Sequence, residues 1–253
     1  PLKIIDLYEN YYGKSRNVYL SHEAQMVGEL SQTKQSKNLQ HIFFLTDASK
    51  KMEKSQSDKI TKVKRGAVLG AGTMGGGIAW LFASINQAPM MKDITQGALE
   101  LGLKQSSLNF MGAVKRKKMT FDEFEKKQRS ITATMSFDGF ENVDLVIEAV
   151  VENMDIKKKV FAETEKHVKK TCILTSNTSS LSVNDMSKAL EYPDRFAGLH
   201  FFNPVHRMPL VEIITHDKVS KETVNSLYKW VLDVKKTPIV VKDGPGFLVN
   251  RIL

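Results

Sequence analysis

The rhythm of apolar and polar positions changes near residue 60. Before it, the chain is rich in Lys, Ser and Gln and has few strand-like apolar runs. Residues 21–51 read as one or two helices, with Ile42, Phe43, Phe44 and Leu45 as their apolar patch. Residues 50–62 are charged and polar, the composition of a connector. Beyond it, short apolar runs alternate with helical stretches, the signature of a parallel sheet with crossover helices.

The elements follow in order. A strand over 67–69 leads through glycines into a helix ending near Ile85, where Asn86 can take the left-handed conformation that closes a helix. A strand over 89–92 ends at Asp93. A helix over 95–114 and a second one opening at the capping box Thr120-Phe-Asp-Glu123 form an antiparallel arm. Strands follow at 131–136, 143–150, 171–175, 197–202, 211–215 and 238–241, with helices over 155–169 and 221–234. The 143–150 run is apolar on both faces, as a central parallel strand should be. The expected class is α/β: a doubly wound, mostly parallel sheet with a helical arm, preceded by a helical linker.

Composition narrows the classes. The chain has 253 residues, 37 Lys+Arg against 28 Asp+Glu, a formal charge of +9 and one Cys. At about 150 residues per domain, that length fits one large domain or two smaller ones. No run of about 18 apolar residues exists, so no transmembrane helix or membrane insertion is expected. The N-terminus lacks the layout of a signal peptide. The lone Cys172 has no partner for an internal disulfide, which favours a reducing, cytoplasmic setting, and it reads as an inert core residue. The positive charge fits a solvated surface, a phosphate-bearing ligand or nucleic acid. Basic clusters are scattered and lie near acids, and neither zinc-finger spacing nor a base-stacking motif is present, so no nucleic-acid partner is expected.

Gly70-Ala-Gly72-Thr-Met74-Gly75 is G-x-G-x-x-G, weak alone but here set between a strand and a helix, with Asp93 about 20 residues on. Gly70 would allow the tight turn, Gly72 would let backbone N–H groups approach a pyrophosphate, and Gly75 would let the helix pack closely. The phosphates would sit at the positive end of the helix. Asp93 would accept from the adenosine ribose hydroxyls and repel a 2′-phosphate, favouring NAD over NADP.

Polar residues then gather at strand ends, where ligands bind in open α/β sheets. Glu148 and Glu152 frame one end, Asn177-Thr-Ser179-Ser180 another, and His200 a third, before Asn203 and Pro204. A histidine is the natural proton acceptor when a hydroxyl is oxidised near neutral pH. A carboxylate on its other ring nitrogen would fix the tautomer, and Glu212, twelve residues on, is placed for that. Position alone leaves open whether the two meet. The other histidines, His22, His41, His167, His206 and His216, read as linker, helix-surface or loop residues without metal-ligand spacing, and no metal is expected. Thr178-Ser-Ser-Leu-Ser lacks the nucleophile elbow of a serine hydrolase.

From about Val68 to Leu253 the chain resembles the NAD-binding part of the 3-hydroxyacyl-CoA dehydrogenases, most of all those of bacterial multifunctional fatty-acid oxidation enzymes. The stretches are VLGAGTMGGGIA, KDI at Asp93, DLVIEAVVEN, SNTSSL, AGLHFFNPVHRMPLVEII and DGPGFLVNRIL. The resemblance implies a Rossmann-type domain over 62–243, a linker over 1–61 that would follow a hydratase domain, and over 244–253 the start of a helical domain. It implies oxidation of a 3-hydroxyacyl-CoA to a 3-ketoacyl-CoA in fatty-acid β-oxidation. His200 would be the general base, Glu212 its orienting partner, and Ser179 and Asn250 would hold the substrate oxygen. Met74, Asp93, Val150, Val151, Glu152, Lys157, Ser179 and Asn203 would contact NAD, and the helical arm would meet CoA. Partners implied are the acyl-CoA substrate, the hydratase and helical domains and a thiolase subunit.

Missing flanking domains would make the chain a fragment, active slowly or not at all. The alternatives are a catalytically silent NAD-binding module, against which intact His200, Glu212 and Ser179 speak, and a stand-alone 3-hydroxybutyryl-CoA dehydrogenase, against which residues 1–60 speak.

Overall fold

A computed structural model describes residues 2–55 and 60–253 and divides the chain into two compact units, Pro1–Met52 and Glu53–Leu253. The first unit contains α1 (Leu2–Tyr11), α2 (Arg16–Ser31) and the greater part of α3 (Lys34–Ser55). α1 and the first turns of α2 lie upstream of the stretch whose pattern reads as helical. Lys3 bonds Glu29 across α1 and α2 at 2.9 Å, and Tyr11 stacks on His22 at 3.9 Å. Among the described residues of this unit, Leu7 is the buried apolar side chain. The side chains of Ile42, Phe43, Phe44 and Leu45 are exposed along α3, and being consecutive they point around the helix instead of forming one face. The expected connector is helical as far as Ser55, and its residues 56–59 lie outside those described.

The second unit is built on eight strands: β1 (Gly66–Leu69), β2 (Met90–Lys92), β3 (Thr132–Thr134), β4 (Leu145–Glu148), β5 (Ile173–Ser176), β6 (Phe196–Phe201), β7 (Leu210–Thr215) and β8 (Thr237–Lys242). Their order is β3-β2-β1-β4-β5-β6-β7-β8. Every pairing is parallel except β6 with β7. All four side chains of β1, β4 and β5 are buried, as expected of strands covered on both faces.

On one face lie α4 (Thr73–Ser84), α5 (Gln96–Lys115) and α9 (Lys221–Asp233), where Phe82 meets Trp230 at 4.8 Å and the indole N–H donates to Gln87. On the other lie α7 (Met154–His167) and α8 (Val183–Ser187), with Phe161 against Phe196 at 4.9 Å. Burying each such aromatic side chain stabilises the fold by about 1.5–3 kcal/mol. The arm forms as expected. Thr95 caps α5, and Thr120 with Glu123 makes the capping box of α6 (Phe121–Arg129). The Ser106 hydroxyl donates to Gln128 across the pair at 2.8 Å. Asn86 sits at φ +63, closing α4. His216 lies in the loop after β7 and is buried there: its ring bonds the Phe196 carbonyl at 2.9 Å, joining that loop to the start of β6.

The loops at the carboxyl ends of β1, β2, β4, β5 and β6 stand along one edge of the sheet. β7 runs antiparallel to β6, which sets His200 directly opposite Glu212 in the register.

Candidate active site

The glycine loop closes by backbone. Gly70 takes φ +93, and a Cβ there would fall 2.6 Å from the Ala149 carbonyl oxygen. A Cβ on Gly75 would fall 1.8 Å from the Gly70 oxygen, so what Gly75 accommodates is the turn more than the strand side chains. Gly72 caps α4 with no side-chain bond to its first N–H groups, and a Cβ there would meet nothing within 4 Å. Open space in front of an uncapped helix N-terminus suits a pyrophosphate. Asp93 does more than face a ribose. One carboxylate oxygen accepts from the Ala71 N–H at 2.7 Å and the other from Ile94 at 2.7 Å, so it also locks the loop. A 610 Å³ cavity opens here, lined by Gly70, Gly72, Asp93, Phe137, Val150 and Val151 among others.

At the far end, His200 is 6 % exposed and Glu212 1 %. His200 Nδ1 lies 2.7 Å from Glu212 Oε2. With Nδ1–H donating to the carboxylate, Nε2 is the ring's proton acceptor. Glu212 Oε1 accepts from the backbone N–H groups of Leu248 and Val249, each at 3.0 Å, so one carboxylate orients the imidazole and anchors the C-terminal turn. That turn brings Asn250 to Ser179, whose carbonyl accepts from the Asn250 amide at 3.3 Å.

Between the two ends runs a polar chain. The Ser179 N–H and the Thr178 hydroxyl donate to Glu152 Oε1 at 3.0 and 2.5 Å. Glu152 Oε2 pairs with Lys157 at 3.2 Å, and Lys157 with Glu148 at 2.6 Å. Burial tends to raise the Glu152 carboxyl, yet the bonds from Thr178 and Ser179 and the charge of Lys157 hold it below the usual range. Burial pushes the Glu148 carboxyl up, against Lys157, Ser176 and the Val150 amide. Cys172 is pushed by burial to about 12, an inert thiol at neutral pH.

The residues singled out by sequence thus fall into connected groups. Gly70, Gly72, Asp93, Val150 and Val151 line the cavity. Met74 is half-buried on α4 against the core, and Asn203 is exposed just beyond β6. Ser179, Asn250, Glu212 and His200 are linked through the bonds above. Lys157 is 1 % exposed, and its ammonium donates to the Val150 carbonyl and pairs with Glu148 and Glu152 behind the Val150–Glu152 turn. Asn177, marked by the sequence only as a polar residue at a strand end, accepts from the Phe201 N–H at 2.8 Å through its side chain and ties the ends of β5 and β6. Sequence reasoning missed Phe247, buried at φ +48 with its ring 5.9 Å from His200. The Gly-Pro-Gly run before Phe247 was the available signal. No group of three His, Cys, Asp or Glu suited to a metal occurs among the described residues.

Residues 65–244 match the family model of the 3-hydroxyacyl-CoA dehydrogenase, NAD binding domain. Over its whole length the chain is 44 % identical to a fatty acid oxidation complex subunit alpha of Idiomarina loihiensis, and 42 % identical to one of Acinetobacter baumannii. It spans 35 % of the length of each of these relatives. Among solved structures, an (S)-3-hydroxybutyryl-CoA dehydrogenase of Ralstonia eutropha is similar at 36 % identity and TM-score 0.73, over 76 % of this chain and 68 % of that one. The dehydrogenase part of a multifunctional enzyme of C. elegans is similar at 30 % identity and TM-score 0.65, over 72 % of this chain and 42 % of that one.

Proposed function

Because this chain belongs to the 3-hydroxyacyl-CoA dehydrogenase family, through its NAD-binding domain, we propose that it takes part in oxidising a 3-hydroxyacyl-CoA to the 3-ketoacyl-CoA in fatty-acid oxidation. The observation that carries this reading is the 2.7 Å His200–Glu212 pair at one end of a polar chain whose other end borders the glycine-loop cavity. NAD, when bound, supplies the hydride acceptor. His200 Nε2 takes the proton of the substrate 3-hydroxyl, while Glu212 holds the ring in the correct tautomer and stabilises the imidazolium. Ser179 and Asn250 hold the substrate oxygen against the base. Gly72 lets backbone N–H groups receive the pyrophosphate in the loop that Gly70 and Gly75 close, Asp93 receives the adenosine ribose, and Met74, Val150, Val151, Glu152, Ser179 and Asn203 the remainder of the cofactor. Lys157 acts on the cofactor through Glu152. Positioning and proton transfer are the protein's share of the catalysis.

In this reading residues 62–243 are the cofactor domain, 1–61 a linker, and 244–253 the turn that carries Asn250. The helical arm of α5 and α6 faces CoA. The chain works within a larger multifunctional protein, in the cytoplasm, beside hydratase and helical domains and a thiolase subunit. Among the described residues no helix is long and apolar enough to cross a membrane.

Titration with NADH and NADPH tests the cofactor half of this reading. NADH is expected to bind at least about tenfold more tightly, since one unpaired like-charge contact costs on the order of 1–3 kcal/mol. Equal binding of the two would remove Asp93 from its role.

A further inference from the structure

Glu148 is a buried carboxylate for which the chemistry above has no use. It ends β4 with no exposed surface. Its Oε1 accepts from the Val150 N–H at 2.7 Å and from the Lys157 ammonium at 2.6 Å, and its Oε2 from the Ser176 hydroxyl at 2.6 Å. Lys157 is shared with a second carboxylate, Glu152, at 3.2 Å. Glu152 in turn fixes Thr178 and Ser179 through its other oxygen. One buried ammonium thus stands between two carboxylates, and in a low-dielectric interior a change at one alters its hold on the other. Stability alone does not call for such a cluster, since buried ion pairs often add little over apolar packing.

We propose that Glu148 is a positioning residue for the nicotinamide end of the cleft: it holds Lys157 back from Glu152, so that Glu152 keeps Thr178 and the Ser179 backbone in place. The proposal rests on the dehydrogenase reading. Without the Glu148 charge, Lys157 moves fully onto Glu152 and competes with the Ser179 N–H and Thr178 hydroxyl. Ser179 then loses its anchor, while the glycine loop, held by Asp93 and by its own backbone, keeps its shape.

The test uses the 253-residue chain and two ligands, NADH and ADP-ribose, which lacks the nicotinamide. Glu148→Gln is expected to weaken NADH about tenfold, the effect of disturbing a charged hydrogen bond, and ADP-ribose less than about twofold. The fluorescence of bound NADH, which reports the nicotinamide surroundings, is expected to shift. Ser176→Ala removes the hydroxyl that donates to Glu148 Oε2 and accepts from the Thr178 N–H at 3.3 Å, so it loosens Glu148 and Thr178 together. It is expected to weaken NADH about threefold, again sparing ADP-ribose; should the Gln variant not fold, Glu148→Asp, which keeps the charge but draws it back from Lys157, decides the matter by the same split between the two ligands. Equal losses for both ligands would mark Glu148 as merely structural and overturn the proposal, as would unchanged NADH binding. If the unaltered chain bound neither ligand, the dehydrogenase reading would fall, and the proposal with it.

Discussion

The two ends of the cleft are held by different means. At the glycine loop the wall is backbone: Gly70 at φ +93, Gly75 against the Gly70 carbonyl, and the Ala71 and Ile94 N–H groups on Asp93. At the β6 end the wall is side chains drawn from positions 148 to 250, linked carboxylate by carboxylate. A backbone wall tolerates varied side chains around it and excludes a methyl group at two positions. A side-chain wall accepts substitutions of the same shape and loses its chemistry when a charge or donor changes. Substitutions at the first end should therefore act on binding and folding together, and those at the second on turnover with the fold intact.

The largest expected effect is at the second end. His200→Gln keeps much of the ring's volume and removes the base, so acetoacetyl-CoA reduction is expected to fall by about 10²–10⁴-fold, with NADH affinity within a factor of about two. A matching loss of NADH affinity would break the contrast between the ends. At the first end, Gly75→Ala places a methyl group 1.8 Å from the Gly70 oxygen. It is expected to cost about 1–3 kcal/mol in urea unfolding, with loss of both NADH and ADP-ribose binding. Survival of ADP-ribose binding would mean the loop bends more readily than its geometry implies.

Glu212→Gln is the next smaller effect. It keeps one oxygen for the Leu248 and Val249 N–H groups but weakens the hold on His200, and about 10–100-fold in turnover is expected to go with little change in unfolding. The smallest effect is a control outside the cleft, at the opposite end of β4. Burial tends to raise the Asp144 carboxyl, yet Lys169 and the backbone N–H groups of Lys64 and Arg65 hold it below its usual 3.8. A carboxyl lowered in the folded state gives stability that is present above the unfolded value and lost as pH falls through the folded one. The gap in urea midpoint between the unaltered chain and Asp144→Asn is therefore expected to close as pH drops below 3.8. A gap that stayed constant with pH would contradict the pairing.

The same contrast explains how much the sequence disclosed. The glycine loop, the Thr120 capping box and the left-handed Asn86 are local events, set by residues a few positions apart, and each was legible. His200 and Glu212 were legible as candidates, but their meeting depends on the one antiparallel pairing in the sheet, which periodicity does not specify. The burial of Lys157 was not legible, because it depends on how α7 lies over β4. Nor was the exposure of Ile42–Leu45, since a run of four apolar residues does not disclose what faces it. The bond of Asn177 to Phe201 and the approach of Phe247 to His200 span 24 and more residues, so local spacing disclosed neither contact.

The most direct test of the central claim, that the two ends form one dehydrogenase cleft, is NADH absorbance on adding acetoacetyl-CoA to the chain. The predicted result is NADH consumption that scales with protein, slow in the chain and faster in a form extended through a helical domain, and lowered by about 10²–10⁴-fold in His200→Gln. NADH that binds but is not consumed, in the chain and in a form extended through a helical domain alike, would contradict it.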